Sequence, residues 1–420
     1  MTAQALKRQL CDAIDAMAPD LLEVSHAIHA NPELAFHEVE AARLLSGRLE
    51  GAGLPVTRSA FGLPTAYASD FGPRGAPEVA ILSEYDALPG IGHSCGHNII
   101  ATTGLGASLA LAKLGAALPG RVRYLGTPAE ERGGGKEMMA QQGAFDGVDA
   151  AMMVHPAGID LITMPCIAIS EVVVTYRGRS AHASAMPHAG LNALDALVTA
   201  YQAIAQLRQH IKNSERIHGI ITKGGNAPNI VPDETEGFFY VRAANAEELA
   251  PLKKRVQACL EAGALATGCT AEIRWAKADY LDLKTSMPLA RSYETNMRAL
   301  GRDFFPLEKM PSGTAGSTDM GNVSHRVPSI HPMISCAPPN VVIHNPEFAR
   351  WAGSELGDKA CIDGAKALAM TAIDYMTDAG LREKAAAEFA ATAESSARSI
   401  AAAYDPAGAT EIGGCGCGAH

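Results

Sequence analysis

Aromatic residues are scarce, at 5% of the chain with two tryptophans, so a broad aromatic substrate pocket is not indicated; a pocket built from a few well-placed rings stays open. No block of five or more like charges occurs, and the formal charge is −10. A nucleic-acid or anionic-membrane partner needs clustered lysine and arginine, so neither is expected. The opening stretch MTAQALKRQLCDAIDAMAPDLLEV is charged throughout and lacks the apolar core of a signal peptide, and the apolar run after residue 98 is broken by Lys113. No membrane span is expected, and the expected location is the cytoplasm. The nine cysteines are odd in number and scattered, which does not suit a disulfide framework and does suit a reducing compartment. There is no internal repeat of 20–50 residues.

What is present is a chain of 420 residues, 47% hydrophobic, long enough for a large core and two domains. Residues 4–53 read as two helices around the turn ANPEL. The β-type runs 78–83, 121–126 and 150–155 then alternate with helical patterns at 98–117 and about 134–143. That alternation marks an α/β fold, a mostly parallel sheet flanked by helices. Between 168 and 284 the order becomes strand, helix, strand, strand, helix, strand, the split βαβ unit of a ferredoxin-like α+β domain. In its first helix Leu194, Leu197, Val198, Tyr201, Ile204, Ala205 and Ile211 keep the spacing of one apolar stripe. The first style resumes afterwards. The expectation is a discontinuous catalytic domain, 1–167 and 285–404, an inserted domain, 168–284, and a Gly-rich flexible tail, 405–420.

Three of the parallel-type strands run into chemistry. The first meets Glu84, Tyr85 and Asp86, the second Glu130 and Glu131, the third His155. Ligands of open α/β sheets bind at the carboxyl ends of the strands, so Glu131 and His155 can converge there with Cys95 and His97 of GIGHSCGHNII, in which His93, Cys95 and His97 fall within five residues. A structural zinc clasp wants a second pair of ligands at short spacing, and a redox thiol wants Cys-x-x-Cys; Cys95 has neither. A catalytic metal site and a set of ordinary core and surface residues both stay open on the residues alone. Cys415, Cys417 and His420 are better read as incidental to a Gly-rich end than as a soft-metal site, and the Gly- and Ser-rich loop 312–322 as a rim of the active site.

The blocks HAIHANPELAFHEVEAARLLSGRLEGAG, EYDALPGIGHSCGHN, TPAEERGGGKEMM, MMVHP, RGRSAHAS, NIVPD and IHNPEFA follow in that order. Over roughly residues 20–380 they resemble the dinuclear-metal aminoacylase and carboxypeptidase family of amidohydrolases. The resemblance implies two divalent ions per chain, zinc first with manganese or cobalt admitted, on Cys95, His97, Glu131, His155 and His344. It implies Glu130 as general base and His182 as donor to the substrate carbonyl oxygen, with Asn229 and Arg242 on the substrate. Asp86, two residues beyond a strand end, is expected to orient a ligand. His93 is read as a loop residue, and His26, His29 and His37 as packing or surface residues. Asn98 stands where many members carry Asp, and Glu84 where many carry Asp. Both departures resemble the aminobenzoyl-glutamate hydrolase and β-alanyl-lysine dipeptidase branch.

The expected function is therefore metal-dependent hydrolysis of the amide bond of a small dipeptide-like or N-acyl amino acid substrate with a free carboxylate. The expected assembly is a homodimer through the inserted domain, or a higher oligomer. The competing reading is a non-catalytic metal-binding scaffold of the same fold; Glu130 beside Glu131 weighs against it, because a binding protein has no need of an unligated carboxylate.

Overall fold

The computed structural model describes residues 1–310 and 315–410. Ser312, Gly313 and Thr314 of the 312–322 loop, and Cys415, Cys417 and His420 of the tail, lie outside the described residues. The chain divides into two compact units, Met1–Cys166 with Leu283–Ser396, and Ile167–Asp282 with the residues from Ala397 onward. Residues 397–404 thus group with the second unit, not with the first: Tyr404 bridges Ala278, and Ala409 bridges Ala276. That pairing joins distant segments, and no local periodicity announces it.

The strands in chain order are β1 (Thr57–Arg58), β2 (Tyr67–Phe71), β3 (Glu78–Ser83), β4 (Arg121–Gly126), β5 (Ala150–Met152), β6 (His155–Ala157), β7 (Ala168–Arg177), β8 (Arg216–Lys223), β9 (Glu234–Ala243), β10 (Thr270–Trp275), β11 (Ser329–Ile330) and β12 (Met333–Ser335). In the first unit β1-β2-β4-β3-β5-β11 form one sheet, parallel from β4 to β11 and antiparallel at the β1 edge. Both faces of β3 are covered, as a central parallel strand requires. Val79 and Ile81 enter the core shared with helices Ala3–Ala30, His97–Lys113 and Glu355–Thr377, while Ala80 and Leu82 enter a second core with Met139, Phe145 and Val323. The run 150–155, expected as one strand, breaks after Met152 and resumes at His155 in a separate ladder, β6 with β12. Pro332 stands between the partner strands β11 and β12 and has no N–H to continue the first ladder.

The second unit is a four-stranded antiparallel sheet in the order β10-β7-β9-β8. With helix Ala193–Leu207 between β7 and β8 and helix Ala246–Thr267 between β9 and β10, this is the ferredoxin-like arrangement. Thr235, Phe239, Val241 and Ala243 of β9 are buried in alternation, as a strand with helices on one face should be. The buried stripe of helix Ala193–Leu207 is Ala193, Ala196, Leu197, Ala200 and Ile204. Val198, expected in that stripe, is 44% exposed, because one step of helix past Leu197 carries it to the flank. β8 is an edge strand and leaves Ile220 and Ile221 exposed. Among the described residues no helix is long and apolar enough to cross a membrane.

The link from β3 to helix His97–Lys113 turns on Gly96, at φ +80°. A Cβ there would sit 2.5 Å from Pro156 Cγ, beside His155. Gly96→Ala should therefore cost about 1–3 kcal/mol through strain and crowding, read as a lowered midpoint in urea unfolding.

Candidate metal and hydrolytic site

β3, β4 and β5 are parallel neighbours, so the residues that follow them emerge at one end of the sheet. Glu84 and Asp86 follow β3, Glu130 and Glu131 follow β4, and His155 opens β6 just beyond β5. Cys95 and His97 flank the left-handed Gly96, with His97 as the first residue of its helix. His344 joins them from the segment before helix Pro346–Ala352, with φ at +62° and its N–H bonded to the Ser94 carbonyl at 2.9 Å.

Three groups of donor atoms result: Cys95, His97 and His155; Cys95, Glu131 and His344; Glu84, His97 and Glu130. The Cys95 Sγ lies 3.3 Å from His155 Nε2, and Glu131 carboxylate oxygens lie 3.8 Å from His97 Nε2 and 3.4 Å from His344 Nε2. Tetrahedral zinc with nitrogen ligands near 2.0–2.1 Å and sulfur near 2.3 Å needs donor separations of roughly 3.3–3.8 Å. The buried atoms His97 Nε2, Glu84 Oε2 and Glu131 Oε1 have no hydrogen-bond partner among the described residues. Donor type, spacing and unpartnered atoms all fit a bound divalent cation.

The imidazole rings of His97 and His155 are oriented from behind. Asp86 accepts from His97 Nδ1 at 3.1 Å and from the Glu131 N–H at 2.9 Å, so Nε2 of His97 faces the cluster. His155 donates from Nδ1 to the Pro156 carbonyl at 2.7 Å, which leaves its Nε2 lone pair toward Cys95. Burial pushes His155 down to about 3, helped by the nearby His97. Burial opposes the charge on Asp86, yet the bond from His97 and its positive charge hold that carboxyl below its usual range. Burial, with Glu84 and Glu131 alongside, pushes Glu130 well above it. The Cys95 thiol is raised by burial and by Glu131, so a thiolate there calls for a cation.

The third donor group already has a cation. Lys136, fully buried, donates to Glu84 and to Asp319 Oδ1 at 2.7 Å, and its N–H bonds Asp319 Oδ2 at 2.9 Å. Burial would lower its proton affinity, but Asp319 and Glu84 raise it above the ordinary lysine value. Lys136 thus offsets the charge of Glu84 and Asp319, two of the acids near Glu130. Asn98 also finds its reason: its amide donates to Ser25 Oγ at 2.9 Å and to the Ala352 carbonyl at 3.0 Å, bonds an aspartate could not make. His93 is buried and stacks on His29, outside all three donor groups.

In the second unit His182 and Asn229 lie side by side. His182 bridges Ile230, and the Ala183 N–H bonds the Asn229 carbonyl at 3.0 Å. Nδ1 of His182 accepts from the N–H groups of Ser184, at 3.3 Å, and Ala185, at 3.2 Å. The ring proton is therefore on Nε2, leaving that N–H free to point at a ligand. Arg242 is not brought to this pair. It stands eight residues along β9 from Glu234, about 27 Å at the usual strand rise, where it meets His218 Nε2 at 3.3 Å and lies over the Tyr240 ring.

Sequence reasoning missed Lys136, Asp319, Glu38 and His331, and noted Glu84 at a strand end and as a departure without giving it a role. His331 is buried with its ring edge-on to His155, centroids 5.4 Å apart. Glu38 bonds a residue 91 positions away, and Lys136 bonds residues 52 and 183 positions away. Such pairs leave no local signal.

Residues 80–374 match peptidase family M20/M25/M40. The chain is also 41% identical to the Xaa-Arg dipeptidase of Mus musculus over 400 residues, 92% of each chain. It belongs to the M20/M25/M40 peptidase family. It is 28% identical to one of the subunits of the p-aminobenzoyl-glutamate hydrolase of Escherichia coli K12, covering 91% of this chain and 94% of that one. A dinuclear metal-binding M20 peptidase from Bacillus subtilis shares the fold, with a TM-score of 0.64 at 20% identity over 86% of this chain and 99% of that one. This M20 peptidase is accordingly a metal-dependent hydrolase of amide bonds, of the exopeptidase and amidohydrolase type.

Lys136→Met should cost about 3–5 kcal/mol of stability, because it strands Glu84 and Asp319 as uncompensated buried charges. The control Lys113→Met, at an exposed position, should stay within about 0.5 kcal/mol in the same urea titration.

Proposed function

We propose that this M20 peptidase is a dipeptidase for compact substrates with a free C-terminal carboxylate, those ending in arginine or lysine first, and aminoacyl or aminobenzoyl conjugates of glutamate next. The observation that carries the catalytic part is the buried Glu130 beside Glu131. Glu131 shares a donor group with Cys95 and His344, while Glu130 falls outside both groups that contain the thiol. The preference for a basic residue rests on the likeness to the Xaa-Arg dipeptidase, which spans 92% of both chains.

Two divalent cations would be held by Cys95, His97, Glu131, His155 and His344; zinc suits these donors, and cobalt or manganese is admitted. When bound they would supply Lewis acidity to a water and to the amide carbonyl. Glu130 takes a proton from the water as its oxygen bonds the carbonyl carbon. The raised proton affinity of Glu130 suits it to carry that proton and return it to the leaving amine as the C–N bond breaks. The Nε2–H of His182 donates to the carbonyl oxygen, and Asn229 holds the polar end of the substrate. Asp86 keeps His97 and the Glu131 backbone in place.

Xaa-Arg and Xaa-Lys dipeptides should be hydrolysed by the metal-loaded enzyme and not after chelation. Glu130→Gln should retain metal and fold but lose about 10²–10⁴-fold in kcat. Amidating the C-terminal carboxylate should lower kcat/KM by roughly 10- to 100-fold, the loss of one charge-assisted hydrogen bond. Equal cleavage of acid and amide would make the enzyme a general amidase.

The second unit serves, in this reading, as a lid and dimerisation domain. The exposed Ile220 and Ile221 on edge strand β8 favour a second copy as their cover. One small substrate cannot touch both His182 and Arg242 of the same copy, given the length of β9 between them. His182, with Asn229 beside it, is proposed to serve the active site of the partner chain. Mixing Glu130→Gln chains with His182→Ala chains should restore one working site per hybrid dimer. No recovery despite demonstrated chain exchange would return His182 to its own protomer.

A further inference from the structure

We propose that Glu38 is a positioning residue whose buried carboxylate fixes the turn carrying Glu130 and Glu131. The proposal rests on the hydrolytic reading above for its kinetic part only. Glu38 is fully buried, and its carboxylate has three partners. Oε1 accepts from the Ala129 N–H at 2.9 Å and from the Phe36 N–H at 2.9 Å, and Oε2 accepts from Thr65 Oγ1 at 3.0 Å. Thr65 is held in turn, since Tyr85 donates to its carbonyl at 2.7 Å.

Ala129 is the telling partner. It has a left-handed backbone, φ +60°, although it is not glycine. Such a conformation persists in a residue with a Cβ only where its surroundings hold it. Around this turn the Thr127 N–H bonds the Ser83 carbonyl at 2.8 Å, the Ala129 N–H bonds Glu38, and the Glu131 N–H bonds Asp86 at 2.9 Å. Glu130 therefore hangs between two backbone positions, each anchored by a carboxylate from elsewhere in the chain. Asp86 fixes the far side, and Glu38 the near side.

Helix capping does not account for Glu38. It stands at the N-cap of helix Val39–Gly51 yet makes no side-chain bond to that helix. The first-turn N–H groups of Glu40 and Ala41 are taken by Glu33, at 3.0 and 2.9 Å. The carboxylate of Glu38 is thus directed away from its own helix and at a turn in a distant part of the same unit.

Two variants separate reach from charge. Glu38→Gln keeps the arm length, can accept both N–H bonds on its carbonyl oxygen and can meet Thr65 with its amide. Glu38→Asp keeps the charge but withdraws the acceptor by one methylene. Positioning therefore ranks Gln above Asp: Gln within about threefold of wild-type kcat, and Asp down roughly 10- to 100-fold with KM within about twofold, as for a small misplacement of a reacting group. In the Asp background Ala129→Gly should restore part of kcat, since glycine enters the left-handed region without the clamp. A second readout needs no turnover: the rise in melting temperature on adding zinc chloride, which reports how well Glu131 is presented. It should be kept in Gln and reduced in Asp. Equal or reversed ranking of Gln and Asp in kcat, or an unchanged zinc shift in Asp, would overturn the proposal. If wild type cleaves no dipeptide, the functional reading fails, and the zinc shifts alone decide the role of Glu38.

Discussion

The first unit is organised around buried negative charge. Glu38, Glu84, Asp86, Glu130 and Asp319 are all buried at or near one end of the parallel sheet, with Glu131 beside them. Carboxylates cannot be packed together in a dry interior unless each is hydrogen-bonded, protonated or matched by a cation. Each answer is used in a different place. Glu38 and Asp86 take N–H and hydroxyl donors, Glu84 and Asp319 share the ammonium of Lys136, and Glu131 looks toward the thiol and imidazoles of Cys95, His97 and His344. Glu130 stands with Glu84 and His97, 3.8 Å from His97 Nε2. Its elevated proton affinity follows from burial beside Glu84 and Glu131, not from any special feature of the residue.

Backbone conformation supports the same corner. Gly96, Ala129 and His344 all adopt positive φ, and all three lie at or next to donor residues. Two of them carry side chains that disfavour it. Gly96 can be nothing larger, because Pro156 fills the space a Cβ would need. Ala129 and His344 are each held by a hydrogen bond from their own N–H, to Glu38 and to the Ser94 carbonyl. The donor atoms are thus presented by turns whose geometry is imposed from outside the turns themselves. This is how strained backbone persists at functional sites.

What could be read from sequence follows the same division. Strand runs, the parallel order and the split βαβ insertion are written in local periodicity, so the alternation before residue 160 and the pattern of 168–284 gave the architecture. Cys95, His97, Glu131, His155 and His344 stood out as a set only through the resemblance carried by ordered motifs, and the structure brings their side chains together; the place of Asp86 after β3 suggested that it orients a neighbour, and it bonds His97. Lys136 and Asp319 were not legible: a lysine after three glycines and an aspartate in a Ser- and Gly-rich loop both look solvent-exposed until the fold joins them 183 residues apart. Glu38 was not singled out, because its partner Ala129 lies 91 positions away and nothing in its neighbourhood says that Glu33 does the capping. The grouping of residues 397–404 with the second unit was hidden for the same reason, as bridges such as Ala278 to Tyr404 have no short-range signature.

The cost of this arrangement argues for catalysis over mere metal binding. A scaffold that only held a cation would be served by Cys95, His97, His155, Glu131 and His344, and could place an amide or an alkyl group where Glu130 stands. Instead a further carboxylate is buried among like charges, which destabilises the fold, while the fully buried lysine nearby is shared by two other acids, Glu84 and Asp319. Groups whose proton affinity is pushed far from normal cluster where a proton has to be taken up and released. Glu130 is the carboxylate in this cluster that is placed outside both thiol-containing donor groups and beside them. A proton carrier for hydrolysis has to be near the reacting water without being consumed as a ligand, and the charge pattern of the whole corner is consistent with keeping it that way.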